Sequence, residues 1–254
     1  MIDEIICGDC LEVMAGMGDN SVDLVIADPP YNISQPNSDI DRSSLGHKSY
    51  RRSSPMKRDF GEWDHFTDEN YADFISNYFR EVKRVSKEGA WIYTFFDKLR
   101  LGLLESCYEK YDLKFRTIIT WCKSNPMPTI RKVNWVSATE LISVSSNGNG
   151  GLKNFIMPQS EMFNYIRTPN KSIYGKTIHP TEKPEGIIEK FISVSSNEGD
   201  LVLDPFLGSG TTAVACVNLD RHYIGIELSE EYCSIARQRV EDAKMFKYSQ
   251  PELF

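Results

Sequence analysis

Two short stretches of this chain combine residue types that can do chemistry, and each follows a strand-like run. The first is Asp28-Pro29-Pro30-Tyr31, after the branched, apolar run Val22-Asp23-Leu24-Val25-Ile26-Ala27. Its prolines remove two backbone donors and fix two φ angles, and Pro30 biases Pro29 towards an extended conformation. The product is a stiff turn presenting the Asp28 carboxylate, bare carbonyls and the flat face of Tyr31. Such a turn suits a planar, amine-bearing group, with acceptors for its N–H bonds and a ring to stack on it. The plain alternative makes Asp28 a helix cap and Tyr31 a core ring.

The second stretch is Asp204-Pro205-Phe206-Leu207-Gly208-Ser209-Gly210-Thr211-Thr212, after Asp200-Leu201-Val202-Leu203. Gly208 and Gly210 let the backbone approach a ligand with no Cβ in the way. The helix that follows offers free N–H groups to an anion. Glu227 ends the next strand, 23 residues after Asp204, where a carboxylate suits ribose hydroxyls. Gly208-x-Gly210-x-x-Ala213 also fits the dinucleotide fingerprint. A nicotinamide enzyme is therefore a rival reading, and a glycine turn that merely packs a helix on a strand is the bland one.

Both stretches need a sheet behind them, and the chain supplies its elements. Strands are expected at Ile5–Cys7, Ser21–Ala27, Ala90–Phe96, Phe115–Trp121, Glu140–Ser146, Asp200–Asp204 and Tyr223–Leu228. Asp9 followed by Glu12 resembles a capping box that opens a helix with Leu11 and Met14 inward. Further helices are expected over 71–87, ended by Gly89, and over 99–111, 184–195, 211–219 and 231–245. The aromatics of the helix over 71–87 read as core rather than as a stacking platform. Strands alternating with helices give an α/β fold, and ligands bind such sheets at the strand ends.

The chain has 254 residues, 41% hydrophobic and 26% charged, with a net charge of −7. No apolar run approaches the roughly 18–20 residues needed to span a membrane, and the acidic N-terminus has no signal pattern, so a cytoplasmic protein with no membrane partner is expected. Its six cysteines are scattered, which favours reduced thiols over a metal site. The acidic balance argues against a nucleic-acid binder, yet two regions run the other way. Residues 32–60 carry six basic side chains against three acidic ones, for a local +3. Arg42, Arg51, Arg52, Lys57 and Arg58 are candidate phosphate contacts there. Residues 152–178 are also locally basic, and Lys123, Arg131 and Lys132 fall in an irregular, proline-bearing stretch. Solvated charge is the alternative for all of these.

The two stretches together resemble the DNA amino-methyltransferases, enzymes that methylate an exocyclic amine from S-adenosylmethionine. The Asp-Pro-Pro-Tyr motif comes first and the glycine loop last, an order similar to that of the permuted β group. His179-Pro180-Thr181-Glu182-Lys183-Pro184 and Gly8-Asp9-Cys10-Leu11 resemble further cofactor-side motifs of that group. Phe60-Gly61-Glu62-Trp63-Asp64 and Asn125-Pro126-Met127-Pro128 resemble segments of its small bacterial adenine enzymes. The resemblance covers essentially the whole chain. It implies one Rossmann-like methyltransferase domain over 1–254, a mostly parallel sheet with helices on both faces, a DNA-contacting loop insertion at 32–64 and a target-recognition region at 122–178.

The same resemblance implies site roles. Asp28, Pro29, Pro30 and Tyr31 would form the catalytic turn. Asp9, Cys10, Lys183, Asp204, Phe206, Gly208, Ser209, Gly210, Thr211 and Glu227 would hold the cofactor, with Thr211 and Lys183 at its methionine carboxylate. Duplex DNA is the implied partner, with its target base flipped out; a homodimer and a cognate restriction endonuclease are open. Asp at the head of the motif is typical of adenine N6 enzymes and Ser of cytosine N4 enzymes, so Asp28 favours adenine. No cysteine follows a proline, so the pattern of cytosine ring-carbon methylation is absent. An RNA or protein amine methyltransferase and a non-catalytic DNA-binding module complete the alternatives.

Overall fold

In the computed structural model the described residues are 2–32, 67–126, 135–149, 155–169 and 183–249. The sheet is built outward from β2 (Val22–Ala27), where Leu24, Val25, Ile26 and Ala27 are all buried. Successive side chains of a strand point to opposite faces, so a strand buried at every position is covered on both sides. β3 (Ser86–Phe96) is likewise buried from Ala90 to Phe96. Tyr93 of β3 stacks on Phe191 of α4 (Glu185–Ser195), centroids 4.3 Å apart. Its sequence neighbour Thr94, on the other face, lies beside Tyr78 of α2 (Asp68–Val85). Helices therefore flank both faces, as expected.

The remaining strands are β1 (Glu4–Cys7), β4 (Leu113–Lys123), β5 (Thr139–Asn147), β6 (Tyr165–Thr168), β7 (Leu201–Asp204) and β8 (His222–Glu227). The sheet order is β1-β8-β7-β2-β3-β5-β4-β6. Only β5 is antiparallel to its neighbours β3 and β4 among the described pairings. Helices α1 (Cys10–Ala15), α3 (Leu101–Lys110), α5 (Thr211–Asn218) and α6 (Glu230–Ser249) complete the framework. The chain divides into one unit of Met1–Pro29 with Ser76–Phe254 and a second of Pro30–Ile75. Among the described residues no helix is long and apolar enough to cross a membrane.

Three local expectations are corrected. Gly89 does not end the second helix: α2 stops at Val85, and Gly89, at φ +82, lies within β3. Ser86 already pairs with Val22, and the register shifts between Val22 and Leu24. Gly89 thus takes up an irregularity in the strand rather than a helix end. In α1 it is Cys10 that turns inward with Met14, while Leu11 is half-buried. β6 was not expected, because its sequence Tyr-Ile-Arg-Thr has no apolar run; among the described residues it pairs on one side, with β4.

Gly210 caps α5 at φ +93, and a Cβ there would stand 2.8 Å from Ala236 Cβ and 2.9 Å from Ala236 Cα on α6. The glycine is demanded by the packing of α6 as much as by any ligand. Gly210→Ala adds a left-handed alanine and an overpacked contact, together about 2–5 kcal/mol. A fall in Tm of about 5–15 °C in a thermal melt is expected.

Candidate active site

β2 and β7 lie side by side, with Leu24 opposite Val202 and Val25 opposite Leu203. From β2 the chain goes on to β3 on one side, and from β7 to β8 on the other. A parallel sheet opens a crevice at such a reversal, beyond the strand ends. Asp28 and the 204–212 loop emerge there together. They line a half-open cleft with Ile26, Phe95, Lys183 and Ile188, at the place where such sheets bind ligands.

The glycine loop is held by its own carboxylates. Asp204 Oδ1 accepts from the Phe206 N–H at 3.0 Å and Oδ2 from the Thr212 hydroxyl at 2.5 Å. The Asp204 pKa is raised to about 7, by burial above all and also by the charges of Asp28 and Glu227, against the downward pull of those two hydrogen bonds. Glu227 Oε2 accepts from the Gly208 N–H at 2.9 Å, and Oε1 from the Ser229 N–H at 2.8 Å. Arg239 of α6 donates to the Ser209 carbonyl at 2.7 Å and its hydroxyl at 2.9 Å. In β8, Gly225 leaves room for Leu207, whose Cδ2 would be 2.4 Å from an added Cβ.

On the neighbouring strand end, Asp9 caps α1 by accepting from the N–H groups of Leu11 and Glu12. Cys7 of β1 pairs with Glu227 of β8, which brings Asp9 and Cys10 to the same sheet edge as Glu227. Cys10 is buried, and burial raises its thiol pKa to about 12, so it stays a neutral packing group. In the second unit, the Tyr71 hydroxyl donates to the Pro30 carbonyl at 3.0 Å and pins the proline turn.

Lys183 Nζ lies 2.6 Å from Asp28 Oδ2 and 3.5 Å from Glu140 Oε2, and 5.0 Å above the Phe95 ring. Burial pulls the Lys183 pKa down, but the charges of Asp28 and Glu140 more than offset this and hold it above the ordinary lysine value. Glu140 Oε1 is 2.5 Å from Lys123 Nζ. Burial pushes the Glu140 carboxyl up, and the charges of Lys183 and Lys123 overcome this and hold it below the usual range.

The structure thus brings Asp28, Lys183, Asp204, Phe206, Gly208, Ser209 and Thr211 to one cleft, and Glu227 to the loop that borders it. Lys123, a candidate DNA contact, is half-buried against Glu140 and sits 5.0 Å over the Trp121 ring. Arg42, Arg51, Arg52, Lys57, Arg58, Arg131, Lys132, the Phe60–Asp64 segment and the 179–182 part of the histidine motif lie outside the described residues. Sequence reading missed Glu140, Tyr71, Arg239 and Gly225. Glu140 alone carried a signal, as the one charge in an otherwise uncharged strand.

The donor set fits S-adenosylmethionine. Three carboxylates around the cleft suit a sulfonium, an ammonium and a ribose diol. A pyrophosphate would meet those carboxylates, and the Gly208 N–H it needs is donated to Glu227. That arrangement disfavours a nicotinamide enzyme.

Comparison with known proteins agrees. The family model described as DNA methylase matches residues 22–238. Type II methyltransferase M2.MboI of Moraxella bovis is 30% identical over 245 residues, covering 92% of this chain and 86% of the relative. Type II methyltransferase M2.DpnII of Streptococcus pneumoniae is 29% identical over 248 residues, covering 93% and 89%. The crystal structure of the M1.HpyAVI-SAM complex superposes with a TM-score of 0.70 at 26% identity, covering 93% of this chain and 98% of that one. PvuII DNA methyltransferase (cytosine-N4-specific) shares the fold, with a TM-score of 0.71 at 17% identity over 95% and 91% of the two chains. The chain belongs to the DNA methylase family, the N6 and N4 amino-methyltransferases that take their methyl group from S-adenosylmethionine.

Proposed function

We propose that this methyltransferase acts on the exocyclic N6 amine of adenine flipped out of duplex DNA. The observation that carries the reading is Asp28: an acidic residue heads the proline turn, and its carboxylate lines the cofactor cleft. In the resembling enzymes Asp at this position goes with adenine and Ser with cytosine.

An aromatic amine is a poor nucleophile because its lone pair is delocalised into the ring. The Asp28 carboxylate and the Pro29 carbonyl would each accept one of its N–H bonds, which favours a pyramidal nitrogen. Tyr31 would stack on the base and recover part of the flipping cost of a few kcal/mol. S-adenosylmethionine, when bound, supplies an electrophilic methyl group on sulfur. Glu227 would accept from ribose hydroxyls, Asp9 and Cys10 would border the adenine side, and Thr211 and Lys183 would meet the methionine carboxylate. With both partners held, the residues work by positioning and electrostatics rather than by a covalent enzyme intermediate.

The segments 32–64 and 122–178 are assigned to DNA contact and target recognition. Self-association and pairing with a restriction endonuclease belong to the same proposal, the latter because two relatives are named Type II methyltransferases.

The test is transfer of labelled methyl from S-adenosylmethionine to unmethylated duplex DNA, followed by digestion to nucleosides. Label in N6-methyladenine is expected. Label in N4-methylcytosine would overturn the base while leaving the turn chemistry intact.

A further inference from the structure

Four ionisable side chains alternate in sign from β4 to the proline turn: Lys123, Glu140, Lys183 and Asp28. Their contacts are 2.5, 3.5 and 2.6 Å in that order. Each ammonium also lies 5.0 Å over an aromatic ring, Lys123 over Trp121 and Lys183 over Phe95. The side chains of Lys123, Glu140 and Lys183 are 16%, 24% and 11% exposed. Desolvating such an array costs several kcal/mol per ion, and apolar replacements of buried ion pairs are often neutral or stabilising. Stability alone is therefore a poor account of it.

The geometry points to Glu140 as a positioning residue for methyl transfer: it anchors Lys183, and Lys183 fixes the Asp28 carboxylate at the mouth of the cofactor cleft. This inference rests on the assignment of Asp28 as an acceptor for the target amine. A lysine on its own is a loose clamp, a point charge on a flexible four-carbon stem. A second carboxylate on a rigid element removes that freedom. β5 is such an element, paired on both sides, with Glu140 opposite Trp121 of β4 and Leu141 opposite Phe96 of β3. Glu140 touches no substrate in this scheme. It acts through the position and charge of Lys183, and Lys123 balances its second oxygen so that the four groups together are neutral.

The experiment uses the full-length protein and DNA on which wild-type methyl incorporation has been measured. Glu140→Gln keeps the shape and removes the charge. It is expected to lower kcat about tenfold to a hundredfold, the scale of a small misplacement of a reacting group. The KM for DNA should stay within about twofold, and kcat is read at saturating S-adenosylmethionine, because Lys183 is also proposed to meet the methionine carboxylate. Lys183→Met should lower kcat at least as much, and adding Glu140→Gln to it should cost nothing more, because the second residue acts through the first. In the crystal structure of Glu140→Gln, the Lys183 to Asp28 distance should open beyond about 4 Å, the limit of an ion pair.

An unchanged kcat, or losses that multiply in the double variant, would overturn the inference. If Glu140→Gln does not fold, Glu140→Gln/Lys123→Met leaves Lys183 and Asp28 as a balanced pair and carries the same expectations. A wild-type enzyme that labels cytosine, or no DNA, defeats the proposed function instead, and the variant's crystal structure still decides the role of Glu140.

Discussion

Asp28→Ala is expected to leave a folded protein that still binds S-adenosylmethionine and to slow methyl transfer at least about a thousandfold, the upper scale for losing a preorganised polar contact to a reacting atom. Two effects combine. The amine loses an anionic acceptor, so nothing charged draws its N–H bonds out of the ring plane. The Lys183 ammonium, 2.6 Å from that carboxylate in the intact protein, also loses its partner. It then presents a cation to a nitrogen that is itself becoming positive. Asp28→Asn should fall between the two, keeping a carbonyl acceptor but not the charge. Single-turnover transfer to DNA measures the step directly, with calorimetry as the check on cofactor binding. A rate within tenfold of wild type would show that the carboxylate is not an acceptor for the amine.

Glu227→Ala is expected to weaken S-adenosylmethionine binding by about a hundredfold and to leave the transfer rate at saturating cofactor close to wild type. Hydrogen bonds to a charged group are worth about 1.5–3 kcal/mol each, and Glu227 holds both the Gly208 and the Ser229 amides. Its loss frees the loop at one end and removes the proposed ribose acceptor at the other. Isothermal titration of the apoprotein reads the affinity. A Kd within threefold of wild type would mean that Asp204 and Arg239 fix the loop by themselves and that the ribose finds another partner.

Much of this site is legible in the sequence because its parts are local. Asp-Pro-Pro-Tyr fixes its own backbone, and the 204–212 loop holds itself through Asp204 and Thr212, eight residues apart. Strands such as Val22–Ala27 and Leu201–Asp204 announce themselves as apolar runs because both faces are covered. What escaped is long-range. Nothing local reveals that Lys123, a candidate DNA contact, has Glu140 of β5 beside it. Gly89 reads as a helix stop because nothing local reveals that Ser86 pairs with Val22. Gly210 reads as a ligand cradle, and nothing local reveals that Ala236 also forbids its Cβ. Tyr71 reads as a helix residue, and its bond to the Pro30 carbonyl crosses 41 positions.

The pairing of β1 with β8, Glu4 opposite Ile224 and Cys7 opposite Glu227, has a consequence on the ribosome. At roughly 5–20 residues per second, β1 emerges on the order of ten to forty seconds before its only described partner strand. During that interval the adjacent strands β2 and β3 can already pair, and the strands that follow can join them. The half of the sheet bearing the proline turn can therefore assemble first. The cofactor half closes last, when β8 slides between β7 and the waiting β1. Nascent chains stalled before β8 should thus protect the 86–147 strands from proteolysis while leaving β1 open to cleavage.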